Sequence, residues 1–200
     1  MTEASRTPNR PAPPPIPADV LVGAQQGDPE ALAVLFEACF DDLYGLAVRM
    51  LSDHAQAQDV VQEVFLRLHK AAATLDPGRD PRPWLRTVTA NLCRDYWRSF
   101  GAKVSRQGVS VDADTDTAPA LPNGGPSPEA EVLDSRRNQR VQDAIDQLPE
   151  QLREVVVLRD YEDLPHEEIA GLVGATPAAV RKRYSRALSA LGDLLKDVWP

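Results

Sequence analysis

Residues 164–195 read LPHEEIAGLVGATPAAVRKRYSRALSALGDLL. The stretch predicts two short helices joined by a tight turn. Pro165 suits the start of the first helix, and Glu167 and Glu168 favour its positive end. Ile169, Ala170, Leu172 and Val173 supply its packing side, and Gly174 stands where the chain must turn sharply. Thr176 is a good N-cap for the second helix, with Pro177 at its first position. Val180, Tyr184, Ala187, Leu188, Leu191, Leu194 and Leu195 then recur at helical spacing as an apolar stripe. At about 100° per residue, Ala178, Arg181, Lys182, Ser185, Arg186 and Ser189 fall opposite that stripe, with Arg183 at its edge. This is the layout of a helix-turn-helix, whose second helix enters the major groove. Arg181 and Lys182 are placed to reach guanine edges, and Arg183 and Arg186 to hold phosphates. A basic helix can equally be a solvated surface face, so the reading needs the elements around it.

Upstream, Pro149 opens a helix with Leu152, Val155, Val156 and Leu158 as apolar positions. Before it, Val141, Ala144, Ile145 and Leu148 repeat at helical spacing. The C-terminal part is therefore expected to be a bundle of about four helices.

Composition narrows the class. The net charge is -8, and residues 20–100 carry eleven acids against eight bases. No segment is a basic polymer-binding tail, so DNA binding must come from local patches and a partner. Cys39 and Cys93 are the only cysteines, too few for a disulfide framework and without metal-ligand spacing; both read as small buried or half-buried thiols. No apolar run approaches the roughly 20 residues of a membrane span, and no signal-peptide core is seen, so a cytoplasmic location is expected. No phosphate loop, nucleophile–base pair or metal cluster emerges, so neither a cofactor nor an enzymatic role is expected.

Two stretches lack periodicity. Residues 1–18 hold six prolines and predict a disordered or polyproline-like tail. Residues 101–130, beginning GAKVSRQGVSVDADTDTAPALPNGGPSP, predict a flexible acidic connector. They separate a domain at 19–100 from one at 131–200.

The first domain reads as helical throughout. Asp28-Pro29-Glu30 starts a helix with Leu32, Leu35, Phe36, Phe40, Leu43, Leu46 and Ala47 inside. Ser52 or Asp53 caps the next, whose stripe is Val61, Val64, Phe65 and Leu68. Its other face carries Asp59, Glu63, Leu66 and Lys70, where Leu66 among charges hints at a protein contact. The loop TLDPGRDPRP (74–83) ends this run, and Pro83 restarts a helix with Leu85, Val88, Leu92 and Tyr96 inside. Trp84, beside Leu85, is expected in the core. Thr87, Asn91, Arg94 and Arg98 project from the opposite side with Trp97 beside them, a set suited to unstacked bases.

DVVQEVFLRLHKA (59–71) followed by WLRTVTANLCRDYWR (84–98) resembles domain 2 of bacterial sigma factors of the extracytoplasmic-function (ECF) group. IDQLPEQLREVVVLRDYEDLPHEEIAGLVGATPAAVRKRYSRALSAL (145–191) resembles domain 4 of that group. The resemblance covers most of residues 20–195. It implies an all-α chain of two helical domains, the second with the helix-turn-helix, joined by a flexible linker. It implies a subunit that binds core RNA polymerase and directs promoter-specific initiation. Asp59, Gln62, Glu63 and Leu66 would dock on the β′ clamp helices. Thr87, Asn91, Arg94, Trp97 and Arg98, with Leu75 and Asp76 in the 74–83 loop, would read the -10 element and hold a flipped base. Flipping costs a few kcal/mol that pocket and polymerase contacts must offset. Ala178, Ala179, Arg181, Lys182, Arg183, Ser185 and Arg186 would read the -35 element. The β flap, promoter DNA and an anti-sigma factor are the further partners implied. The connector would thread toward the polymerase channel. Lys182 and Tyr184 depart from the family pattern, which has a small and an aliphatic residue there, and the 74–83 loop is unusually rich in proline and charge.

Two other readings stand beside this one. An autonomous helix-turn-helix regulator would bind a palindromic operator without polymerase; the acidic charge and the Asn91/Arg94 helix speak against it. A sigma-like interaction module that binds no promoter is opposed by the intact basic face at 181–186.

Overall fold

The structure is a computed structural model and describes residues 14–107 and 138–196. Among these residues the regular structure is helical and no strand is present. Among the described residues two compact units are formed, one from residues 14–48 with Ala55–Asp95, the other from Arg49–His54 with residues 96–107 and 138–196.

In the first unit, α1 (Ala18–Gln25) buries Leu21 and Ala24. A Cβ on Gly23 would lie 2.7 Å from the Ala31 Cβ, so only glycine permits this approach of α1 to the next helix. Helix α2 spans Pro29–Leu51, with Pro29 at its first position and the Asp28 carboxylate accepting from the Glu30 N–H at 3.0 Å. Leu35, Cys39, Leu43, Leu46 and Ala47 are its buried line, at spacings of three and four. Leu32, Phe36 and Phe40 are only half-buried. Helix α3 (His54–Ala71) buries Ala57, Val60, Val61, Val64 and Leu68 and ends in a 3-10 turn at Ala72–Thr74.

Helix α4 spans Arg82–Gln107. Its buried line is Leu85, Thr89, Ala90 and Cys93, whereas Val88, Leu92 and Tyr96 are half-buried. This corrects the sequence expectation by one position around the helix. The Thr89 hydroxyl donates to the Leu85 carbonyl at 2.9 Å, which lets a polar residue occupy the inside without an unmet hydrogen bond. The same rotation turns Trp84 outward, 39% exposed rather than in the core. The helix also runs through residues 101–107, which composition assigns to the connector. The tail through residue 13 and the connector from 108 to 130 lie outside the described residues.

The second unit holds helix α5 over 138–146, α6 (Glu150–Val156) continuing into a π turn at Val157–Tyr161, α7 (His166–Val173) and α8 (Pro177–Leu194). Leu148, Val156 and Ala187 form a core cluster, with Leu152, Tyr184, Ala190 and Leu191 packed on it. Leu188 and Leu194, expected in the apolar stripe, are 47% and 42% exposed. The stripe that packs runs 180, 184, 187, 191, and a helix 3.6 residues per turn carries position 188 off its edge. Among the described residues no helix is long and apolar enough to cross a membrane.

Candidate nucleic-acid interface

The helix-turn-helix is built by local chemistry. Gly174 closes α7 in the left-handed conformation, φ 63° and ψ 40°. The Thr176 Oγ1 then accepts from the Ala179 N–H at 3.2 Å and caps α8, with Pro177 following. Val180 is fully buried and fixes the rotation of the helix. Ala178, Arg181, Lys182, Ser185, Arg186 and Ser189 are therefore exposed, while Ala179 and Arg183 are half-buried. No acidic residue occurs from Ala175 to Gly192, so four cations stand together near the positive end of a helix. Arg181 reaches back to the Glu167 carboxylate at 3.3 Å, an exposed pair. Such a pair is worth about 0–1 kcal/mol, so it can yield to a base or phosphate at small cost.

Two polar networks of the second unit were not legible in the sequence. The Tyr184 phenol donates to Asp160 Oδ1 at 2.7 Å and meets the His166 ring edge-on at 5.4 Å. Burial raises the Asp160 carboxyl above its ordinary range, against the lowering effects of the Tyr184 hydrogen bond, Arg159 and His166. Burial, then the hydrogen bond and charge of Asp160, push the Tyr184 phenol up to about 12. The bulky aromatic at this position thus has a specific partner in the π turn.

The second network centres on Arg153, 9% exposed. Its guanidinium donates to the Met50 carbonyl at 3.2 Å, the Ser52 hydroxyl at 2.7 Å, and the carbonyls of Asp146 and Leu148. Burial lowers its pKa from the ordinary arginine value, partly countered by Asp146 and Glu150. Ser52 Oγ in turn donates to Asp146 Oδ1 at 2.8 Å. The only sequence signal for this hub was a charged pair, Arg153-Glu154, inside an otherwise apolar run.

On α4, Asn91 and Arg94 are half-buried and joined by a hydrogen bond from the guanidinium to Asn91 Oδ1. Arg98 is exposed, Trp97 half-buried, and the half-buried Thr87 donates to the Pro83 carbonyl at 3.0 Å. The loop before α4 holds its own shape. Asp76 Oδ1 accepts from the Gly78 N–H at 2.9 Å, Asp76 Oδ2 faces Arg79 at 3.5 Å, and the Arg79 N–H meets the Asp76 carbonyl at 3.0 Å. Both Asp76 oxygens therefore serve the turn, and Leu75 beside it is half-buried. On α3, Asp59, Gln62 and Leu66 are exposed in one row, Leu66 at 51%. Glu63, between them, is half-buried and pairs with Arg67 at 2.9 Å.

The family model for Sigma-70 region 2 matches residues 35–102, and that for Sigma-70 region 4 matches residues 138–191. The molecule is thus a two-region sigma-70-type protein. Its relatives include the RNA polymerase sigma-H factor of Pseudomonas aeruginosa, 30% identical over 87% of this chain and 91% of that protein. CarQ of Myxococcus xanthus, an RNA polymerase sigma factor, is 32% identical over 87% and 94%. SigE of Mycolicibacterium smegmatis, an ECF RNA polymerase sigma factor, is 34% identical over 78% of this chain, which spans 58% of that protein. Of solved structures, the sigma factor RpoE of Bartonella quintana, bound to the anti-sigma factor NepR, shares the fold at TM-score 0.60 and 23% identity, over 84% of this chain and 95% of that one. SigJ of Mycobacterium tuberculosis, an extracytoplasmic function sigma factor, matches at TM-score 0.51 and 30% identity, over 80% of this chain and 53% of that one. The chain belongs to the family of ECF RNA polymerase sigma factors.

Proposed function

We propose that this chain is a promoter-specificity subunit that binds core RNA polymerase and directs initiation at promoters with paired -35 and -10 elements. The observation that carries the reading is the capped helix α8, whose outward row of Arg181, Lys182, Ser185 and Arg186 is free of neighbouring acids along the helix. In this reading Ala178, Ala179 and Arg183 flank that row against the -35 duplex. Thr87, Asn91, Arg94, Trp97 and Arg98 face the -10 bases, and the loop with Leu75 and Asp76 shapes the pocket for an unpaired base. Asp59, Gln62, Glu63 and Leu66 dock on the β′ clamp helices, where an acidic row with one apolar centre suits a basic partner. The second unit meets the β flap.

An acidic chain can direct DNA binding if affinity is shared: base contacts supply specificity, and the polymerase supplies most phosphate neutralisation. The reaction itself belongs to the polymerase. An anti-sigma factor is a candidate regulator, since the Bartonella quintana RpoE was solved with one. A cytoplasmic location follows from the polymerase it would serve.

The test is transcription in vitro on fragmented genomic DNA of the source organism, with core polymerase alone and with this protein added, followed by sequencing of RNA 5′ ends. Start sites that depend on the protein and share two upstream elements are expected. DNA binding without any dependent start site would instead favour an autonomous regulator.

A further inference from the structure

The loop at residues 75–81 is fastened at both ends by the N-terminal segment. At its start, the Gln25 side chain of α1 donates to the Leu75 carbonyl. At its end, Arg82 Nη2 donates to the Pro14 carbonyl at 2.5 Å, and Arg82 Nη1 pairs with Asp80 Oδ2 at 3.3 Å. The Arg82 N–H also donates to Asp80 Oδ1 at 2.9 Å. Arg82 is 5% exposed, and its guanidinium meets the Cys39 thiol of α2. A buried cation is costly unless neutralised and hydrogen-bonded. Here Asp80 supplies the charge and Pro14 an acceptor, so the loop and the N-terminal segment share one anchor.

The segment is suited to this task. Pro14, Pro15 and Pro17 have no N–H, so residues 14–17 offer carbonyl acceptors with almost no donors of their own to satisfy. Proline also limits the entropy lost when the segment is held against the loop. Pro17, with φ -60° and ψ 140°, passes directly into α1, and the Leu21 N–H returns to its carbonyl at 3.3 Å. Between the two anchors the loop residues Asp76, Gly78 and Arg79 are exposed.

We propose that the segment Pro14–Gln25 is a working part of the -10 reader: it braces the 75–81 loop, with Gln25 and Arg82 as positioning residues for recognition of the unpaired base. This rests on the reading of the loop given under Proposed function. The segment touches no DNA in this scheme; it narrows the loop to one shape, which a base-sized pocket requires.

The experiment uses holoenzyme reconstituted with the full chain or with variants, and fork-junction DNA carrying the -10 sequence found by transcript mapping. The base at the flipped position is varied through all four. The variants are a deletion of residues 2–17, a control deletion of residues 2–13 that keeps Pro14, Gln25→Ala, and the loop substitution Asp76→Ala. Core affinity and helical content are measured alongside. Loss of one or two hydrogen bonds predicts that the 2–17 deletion and Gln25→Ala each weaken binding of the preferred base roughly five- to ten-fold. Discrimination among the bases should flatten, with core affinity unchanged and the control deletion silent. Unchanged discrimination in both variants, with discrimination lost in Asp76→Ala, overturns the brace while keeping the loop reading. Unchanged discrimination in Asp76→Ala as well removes the loop reading, and the brace with it. If the 2–17 deletion does not fold, Gln25→Ala carries the decision by itself.

Discussion

The Tyr184 phenol of α8 donates a 2.7 Å hydrogen bond to Oδ1 of Asp160 in the π turn, twenty-four residues earlier. This bond crosses from the helix that presents Arg181, Lys182 and Arg186 to the segment that precedes the helix-turn-helix. It ties that helix to the π turn from the side away from those cations. Tyr184→Phe keeps the ring and deletes the donor. A hydrogen bond to a charged group is worth about 1.5–3 kcal/mol, so denaturant unfolding of the variant should show a loss of that order. Asp160→Asn, which retains an acceptor, should lose less.

The same pair carries a pH signature. The folded-state pKa of Tyr184, about 12, lies above its ordinary value of 10.0. The folded state therefore holds the phenolic proton more tightly than the unfolded state. Its contribution is complete below pH 10.0 and is lost as the pH rises through about 12. Burial also raises Tyr161, so near-ultraviolet titration should show delayed phenols of which one is missing in Tyr184→Phe, and alkaline melting curves of the two proteins should converge as the pH approaches that value.

Arg153 gathers acceptors from positions 50, 52, 146 and 148. Arg153→Leu would leave three carbonyls and the Ser52 hydroxyl without this donor. Leaving a buried polar group unsatisfied costs about 1–3 kcal/mol, so a loss of at least that order is expected. Thermal unfolding should show the drop, and Arg153→Lys, with one donor head in place of a planar fork, should recover only part of it.

On α8, if its outward row reads the -35 element as proposed, Arg181→Ala with Lys182→Ala should weaken transcription that depends on that element and spare core binding. Each lost bidentate base contact is worth about 1–3 kcal/mol. Glu167→Gln frees Arg181 from its exposed partner and should change promoter binding by less than about 1 kcal/mol. Equal transcription by the double variant from a mapped promoter would remove the assignment of this face.

Asp59→Arg with Glu63→Arg should lower affinity for core polymerase without unfolding the unit, since neither residue is buried. The second change also places a cation four residues before Arg67, replacing an attractive pair by a repulsive one. That costs about 0.2–0.5 kcal/mol of helix stability, too little to explain a loss of binding. Normal co-elution of the variant with core enzyme would sink the docking reading.

Much of the fold was readable because its signals are local. The left-handed turn at Gly174, the Thr176 cap with Pro177 behind it, and the cations of α8 turned outward each depend on residues within a turn or two of chain. The helical period also placed Asp59, Leu66 and Lys70 on the exposed face of α3, whereas Glu63, expected there too, is half-buried, and Gln62 was assigned only by the resemblance. The period failed by one position on α4, where Thr89 and Cys93 are inside and Val88 and Trp84 are not. A buried threonine whose hydroxyl is satisfied by its own helix looks like a surface residue in any hydrophobicity pattern.

What the sequence by itself determined is the set of helices, their caps and which faces carry charge, since hydrogen bonding and propensity within a helix act over three or four residues. What only the tertiary structure decided is how these elements are held: Arg82 on the Pro14 carbonyl, Gln25 on the Leu75 carbonyl, Arg153 on four acceptors and Tyr184 on Asp160. Most of those acceptors are backbone carbonyls. Every residue has one, so no residue type marks in advance which carbonyl a distant side chain will reach.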